Sequence, residues 1–202
     1  MIDSYLTLKA PCEGFYKEKG SKFYAHAFPV KNEEEIKHHL EALRKQYHDA
    51  RHHCYAYVLS PDASVFRAND DGEPAHSAGD PILGQIRSKA LTYVLVVVIR
   101  YFGGTKLGVG GLIQAYKTAT SAALEAGKVI KAHVTENVKF TFSYEATNEM
   151  MQLVDQFQLN ILQQDFTAQC TLEAEVIVSR KADLIEKVQL LQDTGNEVQI
   201  ET

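Results

Sequence analysis

"VLVVVIRYFGGTKLGVGGLIQAYKTA", residues Val94 to Ala119, runs from an unbroken apolar segment through a cluster of glycines into a helical pattern. Val94 to Ile99 are apolar at every position, so both faces of the segment are fit for burial, which predicts a central strand covered on each side. Gly103, Gly104, Gly108, Gly110 and Gly111 then fall within nine residues. A helix is predicted from about Leu112 to Ala126. The loop therefore leaves the carboxyl end of a central strand and opens a helix, a position at which many open α/β sheets bind ligands.

The standard phosphate loops do not fit it. Gly103 and Gly108 have the separation of a Walker A loop, but Val109 stands where its lysine belongs. Gly108 and Gly110 fit the start of the dinucleotide fingerprint, but Ile113 replaces its third glycine. What remains is a bare helix start. The amides of Gly110, Gly111 and Leu112 are predicted to lack intrahelical partners and to carry the positive end of the dipole, where a phosphate or carboxylate can sit. Lys106 and Arg100 add charge beside it, Arg as a bidentate partner and Lys as a point charge. The other reading of the same glycines is architectural: a corner needing positive φ or close backbone contact.

Upstream, "SYLTLKAPCEGFYKEKGSKFYAHAFPV" offers strands broken at Pro11 and Gly20, and Asn32 opens a helix with Glu33, Glu34 and Glu35 at its positive end and Glu35 placed for a capping box. Ile36, Leu40, Leu43 and Tyr47 give that helix its buried stripe. "HHCYAYVLS" and "ASVFRAND" read as a strand pair turning at Pro61 and Asp62, and a further helix is predicted through Ile82 to Lys89. Downstream, from Glu136, strand alternation in "NVKFTFSYEA" gives way to helical spacing at Met150, Val154 and Phe157. Two strands follow, then a helix carrying Leu184, Val188 and Leu191, then "TGN" and the closing strand "EVQIE". The order βαββαβ predicts a ferredoxin-like domain. The fold class is α+β in two domains, residues 1–132 and 133–202.

Charge divides at the same place. Residues 1–132 carry 17 Lys and Arg against 14 Asp and Glu, whereas residues 133–202 carry 4 against 12. An anionic partner is therefore expected to meet the first domain. Three scattered cysteines, Cys12, Cys54 and Cys170, form no metal-binding or disulfide framework, and no apolar run approaches membrane-spanning length. No leader is evident at the start of the chain. A cytoplasmic protein without metal or cofactor is expected.

Other polar clusters admit two readings each. Asp70, Asp71 and Glu73 surround Gly72; they either hold a divalent cation or act as acid and base, or they form a turn whose carboxylates cap amides and pair with arginine. His76 and Ser77 lie in "HSAGDP", outside any nucleophile elbow, and Ser77 or Asp80 is expected to cap the following helix. On a strand His52 and Cys54 share one side while His53 faces away, and Cys54 reads either as a nucleophile served by a distant His or, as free cysteines usually are, as a buried structural thiol. Lys17, Lys19 and Lys22 near Phe23 and Tyr24 form either a basic track for nucleic acid or a solvated hairpin tip.

Three stretches together resemble the IMPACT family, whose bacterial members are the YigZ-like proteins: "GSKFYAHAFPV" (Gly20 to Val30), "DDGEPAHSAGDPILGQI" (Asp70 to Ile86) and "VVVIRYFGGTKLGVGGLIQAYKTA" (Val96 to Ala119). The likeness spans residues 1 to about 130, and the acidic remainder resembles the small ferredoxin-like domain that bacterial members append. It departs from the usual pattern at Ala75, His76 and Ser77, where many relatives carry Ser-Gly-Thr. The resemblance implies a first domain similar to the fourth domain of elongation factor G and a tail similar to its fifth. Eukaryotic relatives restrain the kinase that shuts down translation on amino-acid starvation. By likeness, the chain is expected to be a non-catalytic, translation-linked protein that binds RNA or the ribosome through Lys19, Lys22, Arg100, Lys106 and the glycine loop. Two other functions fit the residues: an enzyme acting on a phosphorylated small molecule or nucleotide at the loop, with Asp70, Asp71 or Glu73 placing a metal or base, and a protein-interaction module.

Overall fold

In the computed structural model, which describes residues 2–167 and 169–202, the apolar segment is the middle strand of its sheet. The chain divides into two compact units, Ile2–Ala132 and His133–Thr202. The first contains β1 (Ser4–Leu8), β2 (Cys12–Glu18), β3 (Ser21–Pro29), α1 (Glu33–Gln46), β4 (His52–Leu59), β5 (Val65–Asn69), α2 (Gly79–Ser88), β6 (Val94–Tyr101) and α3 (Gly108–Ala126), followed by β7 (Val129–His133). Five strands form one sheet in the order β2-β3-β6-β4-β5, with every pairing antiparallel. It therefore lacks the parallel switch point of an open α/β sheet, and the glycine loop is not placed by that rule. Sequence reading had no signal for β7, which pairs with β1 in a separate two-stranded sheet.

The sheet is covered on both faces. One face, with Phe23, Ala25, Cys54, Ala56, Val96 and Val98, packs on Ile82 and Ile86 of α2 and on Ala115, Tyr116 and Ala119 of α3. The other, with Tyr55, Tyr57, Leu95, Val97 and Ile99, packs on Ile36 and Leu43 of α1, with Leu40 and Tyr47 partly buried beside them. The result is three layers with β6 at the centre. Asn32 caps α1 as expected, its side chain accepting from the Glu35 amide at 2.9 Å. The Glu35 carboxylate reaches one residue further back than a capping box, accepting from the Lys31 amide at 2.8 Å.

The second unit contains β8 (Thr135–Phe142), α4 (Thr147–Phe157), β9 (Asn160–Phe166), β10 (Cys170–Ile177), α5 (Lys181–Asp193) and β11 (Val198–Glu201). Its strand order, β11-β8-β10-β9 with antiparallel pairing throughout, is the ferredoxin-like arrangement read from the pattern. Alternate strand residues Val138, Phe140, Phe142, Leu172 and Ala174 share one core with Met150 and Val154 of α4 and Leu184 and Val188 of α5. Both helices thus lie on one face.

Candidate functional site

The residues singled out around the glycine loop gather at one end of the first sheet. Ser21 begins β3, His52 begins β4, and Arg100 and Tyr101 end β6; the antiparallel register sets Phe23 and His52 on either side of Arg100. The β2–β3 connection is the two-residue turn Lys19-Gly20, both at positive φ (45° and 82°), as such hairpins require. Gly103 presses directly on that turn. A Cβ at Gly103 would overlap the Gly20 carbonyl carbon and the Ser21 nitrogen, and the Gly103 amide donates to Ser21 Oγ at 3.1 Å. The hairpin turn and the glycine loop are consequently in contact at one end of the sheet, and Lys19, Lys22 and Lys106 of these two segments are exposed.

Each glycine of the loop meets a different demand. Gly103 is required by close approach, and Gly104 and Gly108 by positive φ (87° and 71°). At Gly111 a Cβ would come within 3.0 Å of Leu107 Cβ. Gly110 is exposed, has no positive φ, and a Cβ there would meet nothing within 4 Å. Architecture does not account for Gly110.

The helix begins earlier than its apolar pattern indicates, at Gly108 rather than Leu112. Glycine has a low helix propensity, so the local signal starts late, while packing of Leu112, Ala115 and Tyr116 carries the helix back to Gly108. The four amides without an intrahelical partner are therefore those of Leu107, Gly108, Val109 and Gly110, and those of Gly111 and Leu112 belong to the helical ladder. No side chain caps this end of α3.

The acidic loop turns inward. Asp70 accepts from the amides of His76 (2.9 Å), Ala78 (2.9 Å) and Gly79 (2.8 Å), so Asp70 caps α2. Burial pushes its carboxyl up, but the three backbone donors outweigh burial and hold it below the ordinary aspartate value. Ser77 and Asp80 do not cap the helix as the sequence suggests. Ser77 is buried and donates to the Pro74 carbonyl at 2.6 Å, while Asp80 pairs with His76 at 2.7 Å on the surface. Asp71 takes Arg44 at 3.2 Å and the His53 amide at 2.7 Å. Glu73 takes Arg100 at 2.7 Å and the Tyr116 hydroxyl at 2.8 Å, with both side chains of the ion pair buried. All three carboxylates are engaged, and among the described residues no three His, Cys, Asp or Glu converge as a metal site.

Arg100 is thus a strut. Its side chain is only 8% exposed, and its guanidinium lies 5.6 Å from the ring centroids of both Phe23 and Phe102. Cys54 belongs to the same network, donating to the Asp70 carbonyl at 2.9 Å beside the Tyr116 hydroxyl at 3.2 Å. Burial, with the nearby carboxylates adding to it, pushes its thiol far above the ordinary range and removes it as a nucleophile.

Sequence reading passed over Arg51 and Phe102 at this end and took His52 only as the strand neighbour of Cys54. Arg51, His52 and Phe102, with Asp49, Ala50, Arg100 and Tyr101, line a cleft of about 380 Å³. Phe102 is 58% exposed. Its spacing of two from Arg100 and four from Val98, just past the end of β6, was the available signal. Among the described residues no helix is long and apolar enough to cross a membrane.

Residues 19–124 match the Impact N-terminal domain. A curated relative from Escherichia coli, IMPACT family member YigZ, is 30% identical over 191 residues, covering 93% of each chain. IMPACT family member YvyE of Bacillus subtilis is 40% identical over 124 residues, 61% of this chain and 57% of that relative. A crystal structure described as that of an hypothetical protein aligns over 99% of this chain and 97% of its own at 29% identity, with a TM-score of 0.74. With the matched domain spanning more than half of the sequence and the Escherichia coli relative matched along nearly all of its length, the chain belongs to the IMPACT family.

Proposed function

We propose that this is a translation-linked regulatory protein that binds RNA, free or on the ribosome, through the glycine-loop end of its first domain. The observation that carries the reading is the contact of the Lys19-Gly20 turn with the glycine loop, which gathers exposed Lys19, Lys22 and Lys106, the first amides of α3, and the cleft of Arg51 and exposed Phe102 at one end of the sheet. Cations and helix-start amides suit phosphates, and an exposed aromatic suits bases. Family membership supports the translation link, because the resemblance implies eukaryotic relatives that restrain the kinase shutting down translation. The inward-facing carboxylates favour this reading over catalysis on a phosphorylated small molecule, since a base must reach its substrate directly or through one water.

Binding of a labelled 20-nucleotide single-stranded RNA, measured across salt concentrations, tests it. Four phosphate contacts from the three lysines and Arg51 give a log–log slope of roughly −3. Lys19→Ala with Lys106→Ala reduces that slope by about 1.4. Arg100 is left intact because its loss would disturb the buried pair. Absence of binding at low salt, or a slope unmoved by the double substitution, refutes the proposal; retention of protein partners from a nuclease-treated lysate would then favour the interaction module.

A further inference from the structure

The cleft at the end of β4 and β6 has a flat aromatic wall, and the loop that makes this wall is stripped of neighbouring side chains. We infer that Phe102 is a stacking platform for an unpaired base, so that the surface takes single-stranded RNA in preference to duplex. The inference rests on the RNA reading above and specifies which form of RNA it concerns.

Four observations converge on it. Phe102 is 58% exposed although it follows directly on a strand whose other side chains are almost all buried. Gly103 and Gly104 come next and add no side chains beside the ring. The guanidinium of Arg100, which also lines the cleft, lies over the ring at 5.6 Å from its centroid and is itself fixed by Glu73 at 2.7 Å. The ring is therefore held in place by a fixed cation. Arg51 and His52 line the same cleft, and its one carboxylate, Asp49, is held by the Tyr101 hydroxyl at 2.6 Å.

Size selects among nucleic acids. About 380 Å³ is within the range of small-ligand clefts and suits a single nucleotide. A base inside an A-form duplex presents only its edges, because both of its faces are stacked on neighbours. A platform that reads a face can be used only by a strand whose bases are free to splay out.

The chain contains no tryptophan, so Phe102→Trp places one indole on the proposed platform. With octa-uridylate as the probe, its fluorescence is expected to be quenched at saturation, whereas inorganic polyphosphate of similar charge leaves it unchanged. Phe102→Ala and Phe102→Leu are each expected to weaken octa-uridylate binding about 5- to 100-fold with the salt slope unchanged, and Phe102→Tyr to restore it. Leucine retains bulk without a π face, so loss in both variants, with unchanged circular dichroism, separates stacking from packing. If octa-uridylate binds in a lysine-dependent way but ignores Phe102→Leu and does not quench the indole, the platform is refuted and the RNA reading stands. Tighter binding of a duplex of equal length also refutes it. Failure of all RNAs to bind removes both.

Discussion

The contrast between two glycines of the same stretch, Gly103 and Gly110, gives the sharpest test of how the loop is built. At Gly103 an alanine methyl would overlap the Gly20 carbonyl carbon and the Ser21 nitrogen, both of them backbone atoms that cannot rotate away. The hairpin and the loop must then part. Overpacking of this kind costs about 1 to 3 kcal/mol, and the Gly103 amide also loses its bond to Ser21 Oγ, about 1 kcal/mol more. The sum is about 3 kcal/mol, a fall in melting temperature of roughly 10 °C for a domain of this size. At Gly110 the methyl meets nothing within 4 Å on a helical backbone, so Gly110→Ala is expected to stabilise by about 0.5 to 1 kcal/mol. Calorimetry or far-ultraviolet circular dichroism of the two variants, resolving the transition of the first domain, measures both. A Gly103→Ala protein within 0.5 kcal/mol of the parent, or a destabilised Gly110→Ala protein, would show that the packing of this loop has been misread.

Two further predictions concern the acidic loop. Asp70→Asn retains an acceptor but loses charge against the three amides that start α2, and is expected to cost about 1 to 2 kcal/mol near neutral pH. Because the folded carboxyl is held below its ordinary value, its contribution is present above the unfolded value of about 4 and is lost as pH falls through the folded value. The acid limb of the stability curve should be shallower in Asp70→Asn, and an unchanged limb in urea titrations would contradict the assignment. Glu73→Ala leaves the Arg100 charge buried and is expected to cost about 3 to 5 kcal/mol, whereas Glu73→Leu with Arg100→Met should recover much of that loss. Chemical denaturation of the three proteins decides it, and a Glu73→Ala cost under 1 kcal/mol would deny the pair its role.

Periodicity made most of this fold legible. The two-sided apolar run of β6, the stripe Ile36, Leu40, Leu43 and Tyr47 of α1, and the whole βαββαβ tail follow from spacing alone, because each buries a regular face. Where the structure departs, longer-range contacts decide. Asp70 caps a helix that starts nine residues later, a relation set by how the loop folds back and invisible to local cap rules. Gly108 joins α3 against its own propensity because residues a turn later pack on the sheet. β7 forms only because β1 is there to pair with it. The cleft residues Arg51, His52 and Phe102 come from two strand ends 50 residues apart, brought together by the register that sets His52 beside Arg100.

The buried pair of Arg100 and Glu73 calls for a reason beyond stability, since two apolar side chains would fill the same space without desolvating charge. Its geometry supplies one. Arg100 touches Glu73 of the acidic loop and lies equally near Phe23 of β3 and Phe102 at the mouth of the glycine loop, while Glu73 holds Tyr116 of α3. One directional network thereby ties two loops, a strand and a helix into a fixed relation, which a non-directional apolar contact cannot do. Glu73 is engaged in this scaffold, Asp70 in the cap of α2 and Asp71 with Arg44 and the His53 amide, and what is exposed on the hairpin turn and the glycine loop is lysine, helix-start backbone and one aromatic ring. The clusters that look like separate sites in the sequence are therefore two sides of one object: an acidic interior that holds the shape and a basic, aromatic exterior available to a ligand.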